Sequence, residues 1–409
     1  MKNIALITSA SVLALSLATS GYASQTDPVR NISSYALSKD AAGYIPDYNA
    51  HPVVTNYAAL VLATYEQTLA DAKDLQTAIK ALLENPSQDS LNAARNAWIN
   101  ARTSYLQTEA FRFYEGPIDF VDEKTKEEGP EGHLNAWPLN EGFIDYTKGN
   151  PKGGLINDPS IPLTAASIRS QDQVEDEADV TTGYHAIEFL LWGQDMNPTS
   201  AGTRPVSDFI AGKGNNDRRR LYLTTVTEMV IEDLNFLVKA WAADDPDNYA
   251  TKFIAMEDKE ALGRILTSLA TLSEFELANE RIATGIDSGD QEDEQSCFSD
   301  NTLNDVIFDQ RGIRNVYFGG YGDVAGAGLD TLVASLAPNL NNKMIAALNK
   351  TDGAISQLNY PYDSILASAA DDPARAEAEL VIQALQAQSD VIKEIGKLLG
   401  VMVVVPTGG

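Results

Sequence analysis

The chain has 409 residues, 44% of them hydrophobic, and its 58 acidic and 30 basic residues give a formal net charge of −28. This length exceeds what one hydrophobic core usually serves, and the composition is that of a folded chain, so we expect two packed domains. The acidic balance excludes nucleic acid as a partner, because binding to phosphates depends on Lys and Arg. The same charge attracts cations and basic partners at long range.

The N-terminus is typical of a secretory signal. Lys2 is followed by an apolar region over residues 4–18 and by a small-x-small site at Gly21–Ala23. We therefore expect a signal peptide over 1–23 and a mature chain that begins at Ser24. The apolar region is too short for a stable membrane span, and no other long apolar run follows. The protein is expected to be exported, to the periplasm or peripherally on the outer membrane, with no transmembrane span in the mature chain.

Apolar residues at three- and four-residue steps predict a long helix over about 52–84 and a second helix over about 91–113. One face of the second helix carries Glu109 and Arg112 where a purely structural helix would place leucines. The pair is either a helix ion pair worth a few tenths of a kcal/mol or part of a functional site. Residues 114–168 then form a long irregular segment, and a stretch of this length without secondary structure in a compact domain is usually either functional or wrongly assigned.

The stretch 181–195 contains His185, one of three histidines, and Glu188 three residues later. In a helix, which we predict to begin near Val174, this spacing puts imidazole and carboxylate on one face, one turn apart. The neighbouring residues are apolar almost all round, which predicts a helix that is buried on several sides. A histidine and an acid in such a helix need hydrogen-bond partners or a metal, and the residues alone leave both interpretations open.

The second half is also predicted to be helical. Residues 196–216 are rich in Pro, Gly and Asn and form the best domain boundary. The segment 312–322 is too dense in glycine for a helix interior, and it lacks the lysine of a phosphate-binding loop. Signals for β-strands are weak throughout. The predicted helices of this half span about 217–242, 259–283, 328–358 with an interruption at Pro338, and 373–400.

An acidic loop at 285–302 connects two of these segments. Such loops are usually solvated, but Cys297 and Phe298 within it indicate docking against the fold. Cys297 is the single cysteine, so the chain forms no intramolecular disulfide. We expect a buried and unreactive thiol.

The sequence GYHAIEFLLWGQD at 183–195, with its Gly-x-His-x-x-Glu spacing, resembles the signature of the imelysin family. These are bacterial envelope proteins linked to iron uptake that are also classed as a metallopeptidase family. The resemblance covers nearly all of the mature chain and is strongest at 98–119, 183–195 and 285–319. It implies an all-α fold of two helical bundles, each like a four-helix bundle, which long irregular segments connect. We expect an N-terminal bundle over 24–200 and a C-terminal bundle over 215–409. Similar segments at 103–111 and 267–275 hint at an internal duplication.

The resemblance also suggests a site. Imidazole and carboxylate groups suit iron or another divalent metal. A single His-x-x-Glu supports at most a mononuclear, oxygen-rich centre, which we predict to consist of His185, Glu188 and Glu109. The residues expected to line this site are Arg112, Trp137, Tyr184, Arg281, Asp287 and Ser288.

The function expected from the resemblance is an exported envelope protein that binds iron or another divalent metal in iron uptake. Its partners would be a metal ion or iron chelate and envelope iron-transport components. One alternative is an imelysin-type metallopeptidase, although the chain contains neither His-Glu-x-x-His nor its inverted form. A second alternative is a non-catalytic envelope binding module, in which His185 and Glu188 hydrogen-bond to Arg112, Arg281 or a tyrosine.

Overall fold

The computed structural model of the protein describes residue 32 and residues 34–37 and 46–406, with gaps at 123, 244, 359 and 360. The predicted signal peptide at 1–23 lies outside the described residues. Within the described ranges, no helix has both the length and the apolar content that are needed to cross a membrane. The fold is all-α, as predicted, and the strands found in the described part are one short antiparallel pair, β1 (Gly320–Tyr321) and β2 (Val324–Ala325).

The first half of the chain builds a bundle around two long helices and the signature helix. Pro52 lies in the first turn of the first helix, and Ser87 caps the second by accepting a hydrogen bond from the Ser90 amide. The helices of this half are α1 (His51–Glu84), α2 (Gln88–Leu106), α3 (Glu131–Asn135), α4 (Glu141–Ile144), α5 (Ala165–Arg169), α6 (Gly183–Trp192) and α7 (Asn216–Trp241). α1 packs against α2 and α7, and α6 packs against both α2 and α7. The signature helix α6 therefore lies inside the bundle, and all ten of its residues are buried.

α6 begins at Gly183, so the predicted start near Val174 is wrong. Thr182 is extended and Gly183 has φ +82°, a conformation that favours glycine. A Cβ at position 183 would lie 2.6 Å from the carbonyl oxygen of Leu134. The chain thus enters α6 from a sharp bend against α3, and the polar residues before it belong to a loop.

The second half builds a bundle in which the C-terminal helix is central. Its elements are α8 (Tyr249–Ala255), α9 (Asp258–Thr271), a π-helix (Leu272–Ala283), α10 (Thr284–Ser288), α11 (Thr302–Phe318), α12 (Leu329–Leu336), α13 (Pro338–Ile355), α14 (Tyr362–Leu366) and α15 (Pro373–Leu399). α15 packs against α9, the π-helix and α13. The predicted interruption at Pro338 is confirmed, since α12 ends and α13 begins there. Asp372 caps α15, and Gly400 ends it with a left-handed conformation.

In the described part of the chain, four 3-10 helices extend or connect these elements. One continues α2 over Gln107–Phe111, and the others span Leu155–Asn157, Val206–Phe209 and Gln291–Asp293. α7 packs with α1 and α6, so by packing it belongs with the first bundle. The division into folding units over 24–200 and 215–409 stays a prediction, as does the internal duplication. The two similar segments contact each other, because the Ser268 hydroxyl donates to the Ala110 carbonyl over 2.7 Å.

The prediction that 312–322 cannot be helical is wrong for its first part, since α11 continues through Gly312 to Phe318. A Cβ at position 312 would lie 2.6 Å from the carbonyl oxygen of Gln107. This glycine therefore allows α11 to approach the backbone of the 3-10 helix that follows α2. The close crossing joins the two bundles beside the site described below.

We predict that Gly312→Ala lowers the free energy of unfolding by about 1–3 kcal/mol, because the added methyl group must displace the backbone of the neighbouring segment. Gly353 is the matched control, since it is an exposed glycine in α13 with no atom within 4 Å of its would-be Cβ. Gly353→Ala should leave stability unchanged or raise it by up to about 1 kcal/mol. Urea denaturation followed by circular dichroism measures both. Equal effects of the two changes would contradict the close crossing.

Candidate functional site

The signature histidine and glutamate form a buried hydrogen-bonded pair. Nδ1 of His185 lies 2.8 Å from Oε2 of Glu188, and both side chains are fully buried. The other carboxylate oxygen, Oε1, accepts hydrogen bonds from the Ser299 amide at 3.0 Å and the Ser299 hydroxyl at 2.7 Å. Ser299 belongs to the acidic loop 285–302. The signature carboxylate thus connects α6 in the first bundle to this loop.

Burial lowers the pKa of His185 well below its ordinary value, and the cationic Arg102 and Arg281 act in the same direction. Burial likewise raises the pKa of Glu188. Both shifts favour the neutral form of the group concerned. When the Nδ1–H of His185 donates to Glu188, the lone pair of the ring lies on Nε2. Nε2 is buried and has no hydrogen-bond partner within the described part of the chain.

Two aromatic residues flank the pair on different sides. Trp137 was predicted to line the site, and its ring centroid is 4.9 Å from that of His185. Its indole N–H donates to the backbone carbonyl of Glu292 in the acidic loop. Tyr184 lies next to His185 in sequence, but its ring packs against Tyr105 at 4.9 Å. Trp137 therefore covers the imidazole, whereas Tyr184 belongs to the α2–α6 contact.

Glu109 is the centre of an ion-pair network between the bundles. Its Oε2 accepts hydrogen bonds from Arg112 at 2.6 Å and from Arg281 at 2.5 Å. Arg281 lies on the π-helix and also pairs with Asp309 and Glu276, each at 2.8 Å. Burial alone would raise the pKa of Glu109, but the two arginines outweigh burial and lower it to about 2. Oε2 of Glu109 is therefore held by two arginines, whereas Oε1 accepts a long hydrogen bond of 3.4 Å from the Asn135 side-chain amide.

The structure brings together some of the predicted residues and separates others. A metal site needs several ligand atoms close together. Among the described residues, Asp195, Asp300 and Asp363 each offer a ligand atom within 4.8 Å of the other two. The predicted metal ligands His185, Glu188 and Glu109 do not form such a group. Asp287 and Ser288 are exposed at the end of α10. The Ser288 hydroxyl accepts a hydrogen bond from the Asp290 amide, which is a local turn contact.

A cavity of 490 Å³ lies between the two bundles, and its lining residues do not include His185 or Glu188. Trp137 contributes to its wall and also contacts His185. Gln295 contributes a buried amide whose Oε1 has no hydrogen-bond partner among the described residues. The charged residues that line the cavity are two arginines, Arg112 and Arg281, and five acids, Glu131, Glu177, Glu276, Glu280 and Asp293. The wall is therefore net acidic, which favours a cation over an anion.

Three of these charged residues lie on the π-helix Leu272–Ala283, namely Glu276, Glu280 and Arg281. π-helical segments are rare and occur frequently at functional sites, because the wider turn changes which side chains share a face. Sequence periodicity predicts an ordinary α-helix over 259–283, with polar residues mixed into its apolar face. The wide turn places Arg281 within reach of Glu109 in the other bundle.

The fold and the site together define an all-helical protein whose two bundles meet at a buried imidazole–carboxylate pair and an arginine–carboxylate network. The family model described as imelysin matches residues 61–392. The chain belongs to the imelysin family.

Relatives of this chain include iron-regulated protein A of Synechococcus elongatus. The two are 24% identical over 334 residues, which cover 80% of this chain and 80% of that protein. Among solved structures, an iron-regulated protein A precursor from Parabacteroides distasonis aligns with a TM-score of 0.67 at 19% identity, covering 87% of this chain and 97% of that one. An imelysin-like protein from Psychrobacter arcticum aligns with a TM-score of 0.62 at 15% identity, covering 88% and 99%. At these identities the two structures show a shared fold.

We predict that Glu109→Gln lowers the free energy of unfolding by about 3 kcal/mol at pH 7, because it removes the buried carboxylate that Arg112 and Arg281 share. Because the pKa of Glu109 is lowered in the folded protein, its ion pairs contribute their full stabilisation to the folded state above about pH 4.5. This stabilisation is lost as the pH falls through about 2. The difference between the variant and the wild type should therefore shrink over this window. Urea denaturation at pH 7, 4 and 3 measures it.

The matched control for this prediction is Glu66→Gln, which changes an exposed glutamate on α1. This variant should unfold like the wild type at each pH. A destabilisation by Glu109→Gln that persists undiminished as the pH approaches 2 would contradict the electrostatic origin of the effect.

Proposed function

We propose that this protein is an exported bacterial envelope protein that binds iron or another divalent metal and acts in iron uptake. The observation that carries the proposal is Nε2 of His185, a buried nitrogen that has no hydrogen-bond partner among the residues that the structure describes. The opposite ring nitrogen is fixed by Glu188 at 2.8 Å. Metal-binding histidines typically donate their other N–H to a carboxylate in this way, which orients the ring and raises its basicity.

In this proposal His185 binds the metal directly, and Glu188 positions the ring. This differs from the initial hypothesis that both residues are ligands, because the two oxygens of Glu188 are already engaged by His185 and Ser299. Further oxygen donors would come from the cavity wall. Gln295 offers a buried amide oxygen that has no hydrogen-bond partner among the described residues. Glu109 would become a ligand through Oε1, since Oε2 is held by two arginines and Oε1 accepts a long hydrogen bond of 3.4 Å from Asn135.

The charge of the cavity supports a metal cation as the species bound. Five acidic side chains face two arginines in the wall, and both arginines already pair with Glu109. A chelate rich in carboxylates would be repelled by this surface, whereas a cation would be attracted. The name of the relative in Synechococcus elongatus, iron-regulated protein A, favours iron among the divalent metals. The signal-like N-terminus at 1–23 supports export.

We predict that the mature protein from Ser24 binds one iron ion and that His185→Gln weakens binding at least about tenfold, because glutamine fills the space of the ring without its nitrogen donor. Anaerobic titration with Fe(II), followed by metal analysis of the desalted protein, measures the loss. The matched control is His51→Gln at the exposed start of α1, which should keep full binding. Circular dichroism verifies that each variant is folded.

Two variants of Glu188 separate the roles of ligand and positioning residue. Glu188→Gln keeps an oxygen that can accept from Nδ1, so it should reduce affinity less than His185→Gln does. Glu188→Ala removes the acceptor and should reduce affinity by about 10–100-fold. If Glu188→Gln and His185→Gln are equally damaging, Glu188 is a direct ligand.

Other outcomes would redirect the functional conclusion. A wild-type protein that binds no metal and whose melting temperature does not change on adding iron would be a non-catalytic envelope binding module. Cleavage of a protein substrate that is abolished by a chelator and by His185→Gln would instead support an imelysin-type metallopeptidase.

A further inference from the structure

A second group of acidic residues lies outside the site described above. Asp195 follows the signature helix α6, Asp300 lies near the end of the acidic loop and Asp363 lies in α14. Each offers a carboxylate oxygen, and these oxygens all lie within 4.8 Å of one another. Two oxygens bound to one calcium ion at about 2.4 Å can be at most about 4.8 Å apart, so the spacing suits a shared cation.

The three carboxylates lack the partners that usually neutralise buried acids. Asp195 is 6% exposed and Asp363 is 1% exposed, and neither pairs with a Lys or Arg among the described residues. Each receives a single hydrogen bond, from the Asn197 amide in the first case and the Gln291 side chain in the second. Their remaining oxygens, and Oδ1 of Asp300, are buried and accept no hydrogen bond from any described residue. Oxygens in this state are available to a cation.

Glu294 is an independent observation that points to the same place. It is fully buried, and neither of its carboxylate oxygens has a hydrogen-bond partner within the described part of the chain. Among the described residues, these four acids form no ion pair with a Lys or Arg. Buried charges in proteins are paired or coordinate metals.

We propose that Asp195, Asp300 and Asp363, with Glu294 beside them, bind a hard divalent cation of the calcium class. The donors are all oxygen, which suits Ca²⁺ and disfavours metals that prefer nitrogen or sulfur. The cation would connect the end of α6, the acidic loop and α14, which no covalent cross-link joins. The site is separate from the His185 centre and does not depend on iron binding there.

The cation also has a consequence for the signature pair. Asp300 is adjacent to Ser299, whose amide and hydroxyl hold Glu188. A bound cation fixes the backbone at Asp300 and thereby the position of Ser299. Cys297 lies in the same loop and is 1% exposed. Its reactivity therefore reports whether the loop is docked.

The experiment uses mature wild-type protein freed of metal with EGTA and titrated with CaCl2. We expect one Ca²⁺ per chain by calorimetry, a rise in melting temperature, and slower reaction of Cys297 with a thiol reagent. Asp363→Asn should weaken Ca²⁺ binding at least about tenfold, because it removes one of the charged ligands. Asp195→Asn, on the other side of the site, provides the same comparison if the first variant does not fold.

The matched control is Asp287→Asn, which removes an exposed acid from the same loop and should keep wild-type Ca²⁺ binding. His185→Gln should keep it as well, which separates this site from the proposed iron site. No binding up to about 10 mM CaCl2 would overturn the proposal, since even weak extracellular calcium sites are filled there. Binding that survives both Asp363→Asn and Asp195→Asn would place the ion elsewhere, and binding of MgCl2 alone would overturn the calcium assignment.

Discussion

The structure depends on how the carboxylate of Glu188 is accommodated inside an otherwise apolar helix. All ten residues of α6 are buried, so this acid needs partners on both of its oxygens. His185 supplies one, and Ser299 supplies the other from a loop more than a hundred residues away in sequence. The requirement to satisfy one buried acid therefore docks the acidic loop onto the first bundle. That docking encloses the imidazole and forms one wall of the cavity between the bundles.

A second buried network holds the bundles together from the other side of the cavity. Glu109 at the end of α2 and Arg281 on the π-helix meet where the backbone of α11 passes close to the 3-10 helix after α2. Ion pairs of this kind contribute less net stability than their geometry suggests, because each group loses its hydration. They do fix the position of one bundle relative to the other, since a buried charge that loses its partner is strongly destabilising. The arginines thus align the two halves around the histidine.

The sequence alone predicted the helices with strong periodicity and the importance of the GxHxxE helix. The heptad-like patterns of α1, α7 and α15 agree with the structure because each buries one continuous face. The prediction at Gly312 is wrong because, in sequence, a glycine that allows two segments to cross closely cannot be distinguished from a glycine that ends a helix. No sequence pattern indicates that Asp363 belongs to a cation site, because its partners Asp195 and Asp300 are distant in sequence. Pairings of this kind are set by tertiary packing, which single-sequence patterns do not encode.

The π-helix adds a constraint on chain length in a region that looks ordinary in sequence. In an α-helix each residue advances the side-chain direction by about 100°. Deleting one residue from Leu272–Ala283 would allow the segment to relax to α geometry and would turn everything beyond it by about that angle. Arg281 would then face away from Glu109, and the acidic loop would start in a different direction. Homologous chains are therefore expected to differ in composition here more readily than in the number of residues.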